Sequence, residues 1–228
     1  MSFPALLASI PARLCGPSLA AAALLAVMPG VLRAAEPELV WQIGIPDGSP
    51  AELALRGKED YGSFAKRFGD DVVLAVGRSD AGGGFPYIHP GPLDVWAGAR
   101  AHTFRISFDL PAEPVGTYVL LVGLCRSHYA YPPVLEVQIG GETVGEVTTE
   151  KDGHRQQAYV RIPAARLCSG KNEIRISNSN GSWAVYDALR LERHPPGAVV
   201  ERIESLGLRD TPKELHCAPN SGTSAPPF

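Results

Sequence analysis

The 228-residue chain contains no Gly-x-Ser-x-Gly elbow, no glycine-rich phosphate loop and no His-Glu-x-x-His pair. Those absences remove the local signals of a hydrolase nucleophile, a bound nucleotide phosphate and a zinc-peptidase helix. Positive charge is not in excess either: 21 Lys and Arg stand against 24 Asp and Glu, a formal charge of −3. Without a basic footprint, nucleic acid is not expected as a partner. The four cysteines lack paired zinc-ligand spacing and are too few for a disulfide-dense scaffold. The apolar run from Leu19 to Val27 is too short to cross a bilayer comfortably.

That run has another reading. Arg13 precedes it, Pro29-Gly30 break it, and small residues follow up to Ala35. The order is that of a secretory signal segment over 1–35, so the mature chain is expected to be exported, periplasmic or secreted. Arg33 is a poor neighbour for cleavage after Ala35; an uncleaved segment would instead anchor the protein to a membrane. Cleavage would remove two arginines and no acid, taking the charge from −3 to −5. Export permits disulfides, and Cys125, Cys168 and Cys217 then remain. A Cys168–Cys217 bridge would tie down the tail; buried or free thiols are the alternative.

From Leu39 onward the dominant period is two. The run "TFRISFDL" alternates Phe104, Ile106, Phe108 and Leu110 against Arg105, Ser107 and Asp109. Similar runs start near Leu39, Val72, Gly116, Val134, Glu142, Ala158, Asn172 and Trp183, separated by Gly, Pro, Asn or Asp. Such spacing predicts an all-β, antiparallel sandwich, and 24 glycines with 21 prolines suit its many turns. "IGGE" at Ile139–Glu142 predicts a tight Gly-Gly hairpin. A long connection with one helical turn is expected over Pro50–Gly69. Residues 36–192 thus form one domain. In 193–228, Val199, Val200, Ile203 and Leu206 have helical spacing before a proline-rich tail.

Two clusters carry chemistry. In "YIHPGPLDVWAGARAH", His89, Asp94, Trp96, Arg100 and His102 crowd a non-periodic, proline-braced stretch. The two histidines could act as acid and base, the whole set could bind a ligand, or it could brace a long loop. In "NSNGSWAVYDALRLE", Asn180 sits beside two aromatics, Trp183 and Tyr186. Sugars present apolar ring faces fringed by hydroxyls, which aromatic platforms with Asn, Asp or Arg partners match; core packing is the alternative for the rings. "SHYAYPP" adds Tyr129 and Tyr131, as platforms or as cover for a sheet edge. Asp47 and Asp187, at the ends of the first and last strands, could hold a structural calcium or form a plain polar surface. No other cofactor is expected.

"VWQIGIPDGSPAEL", "LAVGRSDAGGGFPYI", "GTYVLLVGL", "GKNEIRI" and "GSWAVYDALRLE" follow one another as in a known domain. Over Leu39 to Glu192 the chain resembles the C-terminal domain of rhamnogalacturonan lyases, polysaccharide lyase family four. Trp-x-Ile-Gly-x-x-Asp from Trp41 and Tyr-Asp-x-x-Arg-Leu-Glu from Tyr186 are the most specific parts. "YIHPGPLDVWAGARAHTF" is similar to the bacterial form of that domain. The resemblance implies a jelly roll of the galactose-binding type, similar to carbohydrate-binding modules, and a pectic polysaccharide or oligosaccharide as ligand. The lyases' catalytic domain, with its lysine and histidine, has no counterpart in this sequence, so no catalytic residue is carried over. A separate catalytic protein is therefore a candidate partner. The rival readings are a minimal lyase or glycosidase working through His89 and His102, and a structural or partner-binding sandwich without a sugar site.

Overall fold

The computed structural model describes residues 36–55, 61–69, 71–151 and 153–196. The signal segment expected over 1–35 and the helix expected from Val199 lie outside the described residues.

Among the described residues, ten strands build two facing sheets. One contains β1 (Glu38–Gly44), β10 (Ala184–His194), β5 (Thr117–Ser127) and β8 (Gln156–Pro163) in that order, with β3 (Ile88–His89) also paired to β10. The other runs β2 (Asp71–Ala75), β4 (His102–Leu110), β9 (Gly170–Asn180), β6 (Val134–Ile139) and β7 (Glu142–Thr148). Alternation decides which side of each strand faces in. Along β4, Phe104, Ile106, Phe108 and Leu110 are buried while Arg105, Ser107 and Asp109 are not. Tyr118, Leu120, Val122 and Leu124 of β5 and Tyr186, Leu189 and Leu191 of β10 belong to the same core. Trp41 and Phe108 meet across it with ring centres 5.8 Å apart. Burying a Leu or Ile side chain here contributes about 1.5–3 kcal/mol.

The expected hairpin forms: Gly140 and Gly141 adopt φ of 60° and 83°, the left-handed pair that a tight turn between β6 and β7 needs. Two features differ from a purely antiparallel sandwich. Strand β2 lies parallel to β4 at the edge of its sheet, reached by the long crossover through α2 (Ala81–Gly84) and the stretch that follows it. Strand β3 lies inside that stretch, where the sequence has no alternation to show it. The Pro50–Gly69 connection contains the expected helical turn, α1 (Phe64–Phe68). Cys168 is disulfide-bonded and Cys125 is a free thiol; Cys217 lies outside the described residues.

Candidate functional site

The proline-braced stretch is held from within. His89 is fully buried and stacks on Phe104 with ring centres 3.9 Å apart. Its Nε2 lies 2.8 Å from the His102 carbonyl and its Nδ1 2.8 Å from the Tyr186 hydroxyl. The backbone N–H of Asn178 also approaches Nε2, at 3.3 Å. A carbonyl can only accept, so the shorter contact settles the tautomer: Nε2–H donates to His102 and the Tyr186 hydroxyl donates to Nδ1. Burial drives the His89 pKa down to about 3, so the ring stays neutral. Burial also raises the pKa of the Tyr186 hydroxyl. His102 is likewise buried, donates from Nε2 to the Ala97 carbonyl at 2.9 Å, and has its pKa lowered chiefly by burial.

Asp94 is the second brace. One carboxylate oxygen accepts from the Gly91 N–H at 2.7 Å. The other accepts from the Ser182 hydroxyl at 2.6 Å and from the Trp96 indole at 3.2 Å. Asn178 donates to the Ser182 carbonyl at 2.7 Å. Gly91 is packed so closely on this turn that a Cβ would stand 2.6 Å from the Gly181 carbonyl oxygen. The loop after β3 and the turn between β9 and β10 are thus one locked unit.

These contacts correct the expectation for four residues. His89, Asp94, His102 and Tyr186 are buried and make internal hydrogen bonds that brace the loop, the Nδ1 of His102 being the one ring nitrogen of the two histidines buried without a partner. The acid–base pairing of His89 and His102 meets the same objection, since a substrate reaches neither ring. Arg100 and Asn180 are exposed, and neither lines the groove described next. Calcium does not fit Asp47 and Asp187. The buried Asp187 carboxylate accepts from the Gly48 N–H at 2.8 Å and from Arg155 at 2.9 Å, so a guanidinium already supplies its cation. Asp47 accepts from the Ser49 N–H. Among the described residues no group of three or more His, Cys, Asp or Glu is placed to hold a metal ion.

What the braces position is a groove of about 980 Å³ on the outer face of the first sheet. Its base is a cross-strand row, Ile88–Val185–Arg126, running over β3, β10 and β5. Aromatic rings come from five places along the chain: Tyr61 before α1, Tyr87 before β3, Trp96 from the braced loop, Tyr129 after β5 and Trp183 before β10. Tyr61 meets Trp96 edge to face at 5.3 Å. Trp183 meets His128 edge to face at 5.6 Å, and His128 lies parallel to Tyr129 at 5.6 Å. Trp96 and Trp183 are partly buried, whereas Tyr129 is 67% exposed. Arg126, His154 and Arg155 also line the groove and, among the described residues, no acidic side chain does. Sequence reasoning placed Trp96, Trp183 and Tyr129 among the candidates and missed Tyr61, Tyr87, Arg126, His154 and Arg155. Arg155 sits far from both clusters, and Arg126, although it directly precedes the "SHYAYPP" stretch, is not marked by any motif.

Several solved structures are similar to parts of this chain. A family 35 carbohydrate-binding module from an environmental isolate is 15% identical, covering 42% of this chain and 71% of its own, with a TM-score of 0.31. A family 35 module from Clostridium thermocellum is 20% identical over 38% of this chain and 68% of its own, with a TM-score of 0.29. The cycloalternan-forming enzyme from Listeria monocytogenes, solved with a pentasaccharide substrate, is 17% identical over 50% of this chain and 10% of its own, with a TM-score of 0.34. That match spans only a tenth of the enzyme's length. No curated protein matches. The two-sheet sandwich occupies the region where a family does: residues 39–191 match the family described as CBM-like, polysaccharide lyase family 4, domain III, and the chain belongs to it.

Proposed function

We propose that this CBM-like domain binds polysaccharide without transforming it, and that its ligand is an acidic, plant-type glycan of the rhamnogalacturonan kind. The observation that carries the reading is the groove itself. Five tyrosine and tryptophan side chains gather round a base of Ile88, Val185 and Arg126, with arginines and without acids among the described lining residues. Trp96, Trp183, Tyr61 and Tyr129 offer stacking faces to sugar rings. Arg126 and Arg155 take the carboxylate-reading role for which the sequence suggested Arg100, because a guanidinium pairs two-pronged with a uronate. The protein is exported in this reading, and a separate catalytic protein acts on the same polymer.

Titration calorimetry of the full chain against rhamnogalacturonan oligosaccharides tests it. Heat of binding is expected at millimolar ligand or below. Tyr129→Ala and Trp183→Ala should each weaken binding by about 2- to 12-fold, the loss of one stacking contact of about 0.5–1.5 kcal/mol. A flat titration with acidic and neutral plant glycans alike would reject the reading.

A further inference from the structure

A second hollow, of about 360 Å³, lies on the same face of the same sheet. Its origin is legible in the register: Ala188 of β10, Gly123 of β5 and Gln157 of β8 form one cross-strand row. Two of those three positions carry a methyl group or nothing, so the sheet surface dips there. Arg190 and Leu121, paired on the same strands, border the dip. These side chains point away from the core, to which the alternate β10 residues Leu189 and Leu191 belong and Ala188 does not.

Among the described residues, one lines both this hollow and the aromatic groove, and it is Arg155. Its Nη2 is held 2.9 Å from buried Asp187, yet 57% of its side chain is exposed. A guanidinium has five donors, so the bond to Asp187 leaves others facing outward. The only acid among the described residues lining either depression is Asp187, and it is already paired.

We propose that the two depressions are halves of one trough that takes an extended acidic oligosaccharide. A uronate carboxylate meets Arg155 at the junction, one sugar stacks in the aromatic half, and a following sugar lies in the dip over Gly123 and Ala188 beside Arg190. This rests on the carbohydrate-binding reading above and adds to it a ligand length and a direction.

The probes are rhamnogalacturonan oligosaccharides of one, two and three disaccharide repeats, titrated into the full chain. Affinity is expected to rise at least about tenfold from the shortest to the longest. Ala188→Leu, which fills the dip, and Arg190→Ala, which leaves the backbone untouched, should each reduce the longest ligand to the affinity of the shortest. Neither should alter the shortest. Arg155→Ala should weaken all lengths that carry a uronate. Binding that does not depend on length, with both dip variants silent, overturns the trough while leaving the aromatic groove intact. No binding at any length overturns the trough together with the reading beneath it.

Discussion

A neutral imidazole enters an apolar core far more readily than an imidazolium, and His89 sits where only the neutral form is accommodated. Both ring nitrogens are used, one as donor to a carbonyl and one as acceptor from a phenol. Its pKa in the folded protein is about 3, against an ordinary 6.5. The folded value is the lower, so as pH falls the unfolded chain takes up the proton first. Stability is therefore complete above about pH 6.5 and drains away as pH falls toward about 3. The pKa of His102 is also lowered, so it adds to the loss in the same direction. Between about pH 7 and pH 5, where most carboxylates stay ionised, His89 alone is expected to cost ~2 kcal/mol. Urea midpoints measured across that range should fall for the wild type and fall less for His89→Gln. Equal slopes in the two proteins would show that His89 is not held neutral.

The loop following β3 and the turn joining β9 to β10 act as a single element, and Asp94 is their common anchor. Replacing its carboxylate by an amide keeps the shape but turns one acceptor into a donor, facing groups that can only donate or that already do. Asp94→Asn is expected to destabilise the protein by ~1–3 kcal/mol, since at least one buried partner is left unsatisfied. It should also weaken glycan binding through the displaced Trp96 ring, although Asp94 touches no ligand. Denaturant midpoints and calorimetry on the same variant separate the two effects; an unchanged affinity would detach Trp96 from the site. The sheet strands were legible in the sequence where alternation survives in burial, most plainly in β4 and β6, whereas β5 and β10 are buried over long consecutive runs and show their strand character through apolar, β-prone composition. The parallel setting of β2 was not, because alternation looks the same in either direction. β3 was hidden for a related reason: two residues have no period, and their strand exists only through pairing with β10. At the site, residue type drew attention to His89, His102 and Tyr186, and long-range packing then turned them inward. Arg126 and Arg155 escaped notice because only the sheet register and the Asp187 contact bring them to the groove.

Across the whole molecule, two electrostatic effects on an acidic ligand oppose each other. The chain has a formal charge of −3, which repels a polyanion at long range. The groove and its extension are lined by Arg126, Arg155 and Arg190, of which Arg155 and Arg190 are ion-paired with Asp187 and Glu192; in the proposed complex these three would attract the polyanion at short range. Salt separates the two, since the Debye length shrinks from about 30 Å at 0.01 M to about 8 Å at 0.15 M. If the arginines meet the uronates, contact attraction outweighs the diffuse repulsion. Affinity for an acidic oligosaccharide should then fall about 2- to 5-fold over that range, as expected for a few partly exposed ion pairs of ~0.2–1 kcal/mol each. A carboxyl-reduced oligosaccharide of equal length should bind through stacking alone and show no such fall. Arg126→Ala should flatten the salt dependence of the acidic ligand while leaving the reduced one unchanged. An affinity that rises with salt would mean the net negative charge governs the encounter, and the arginines would then have to be withdrawn as carboxylate readers.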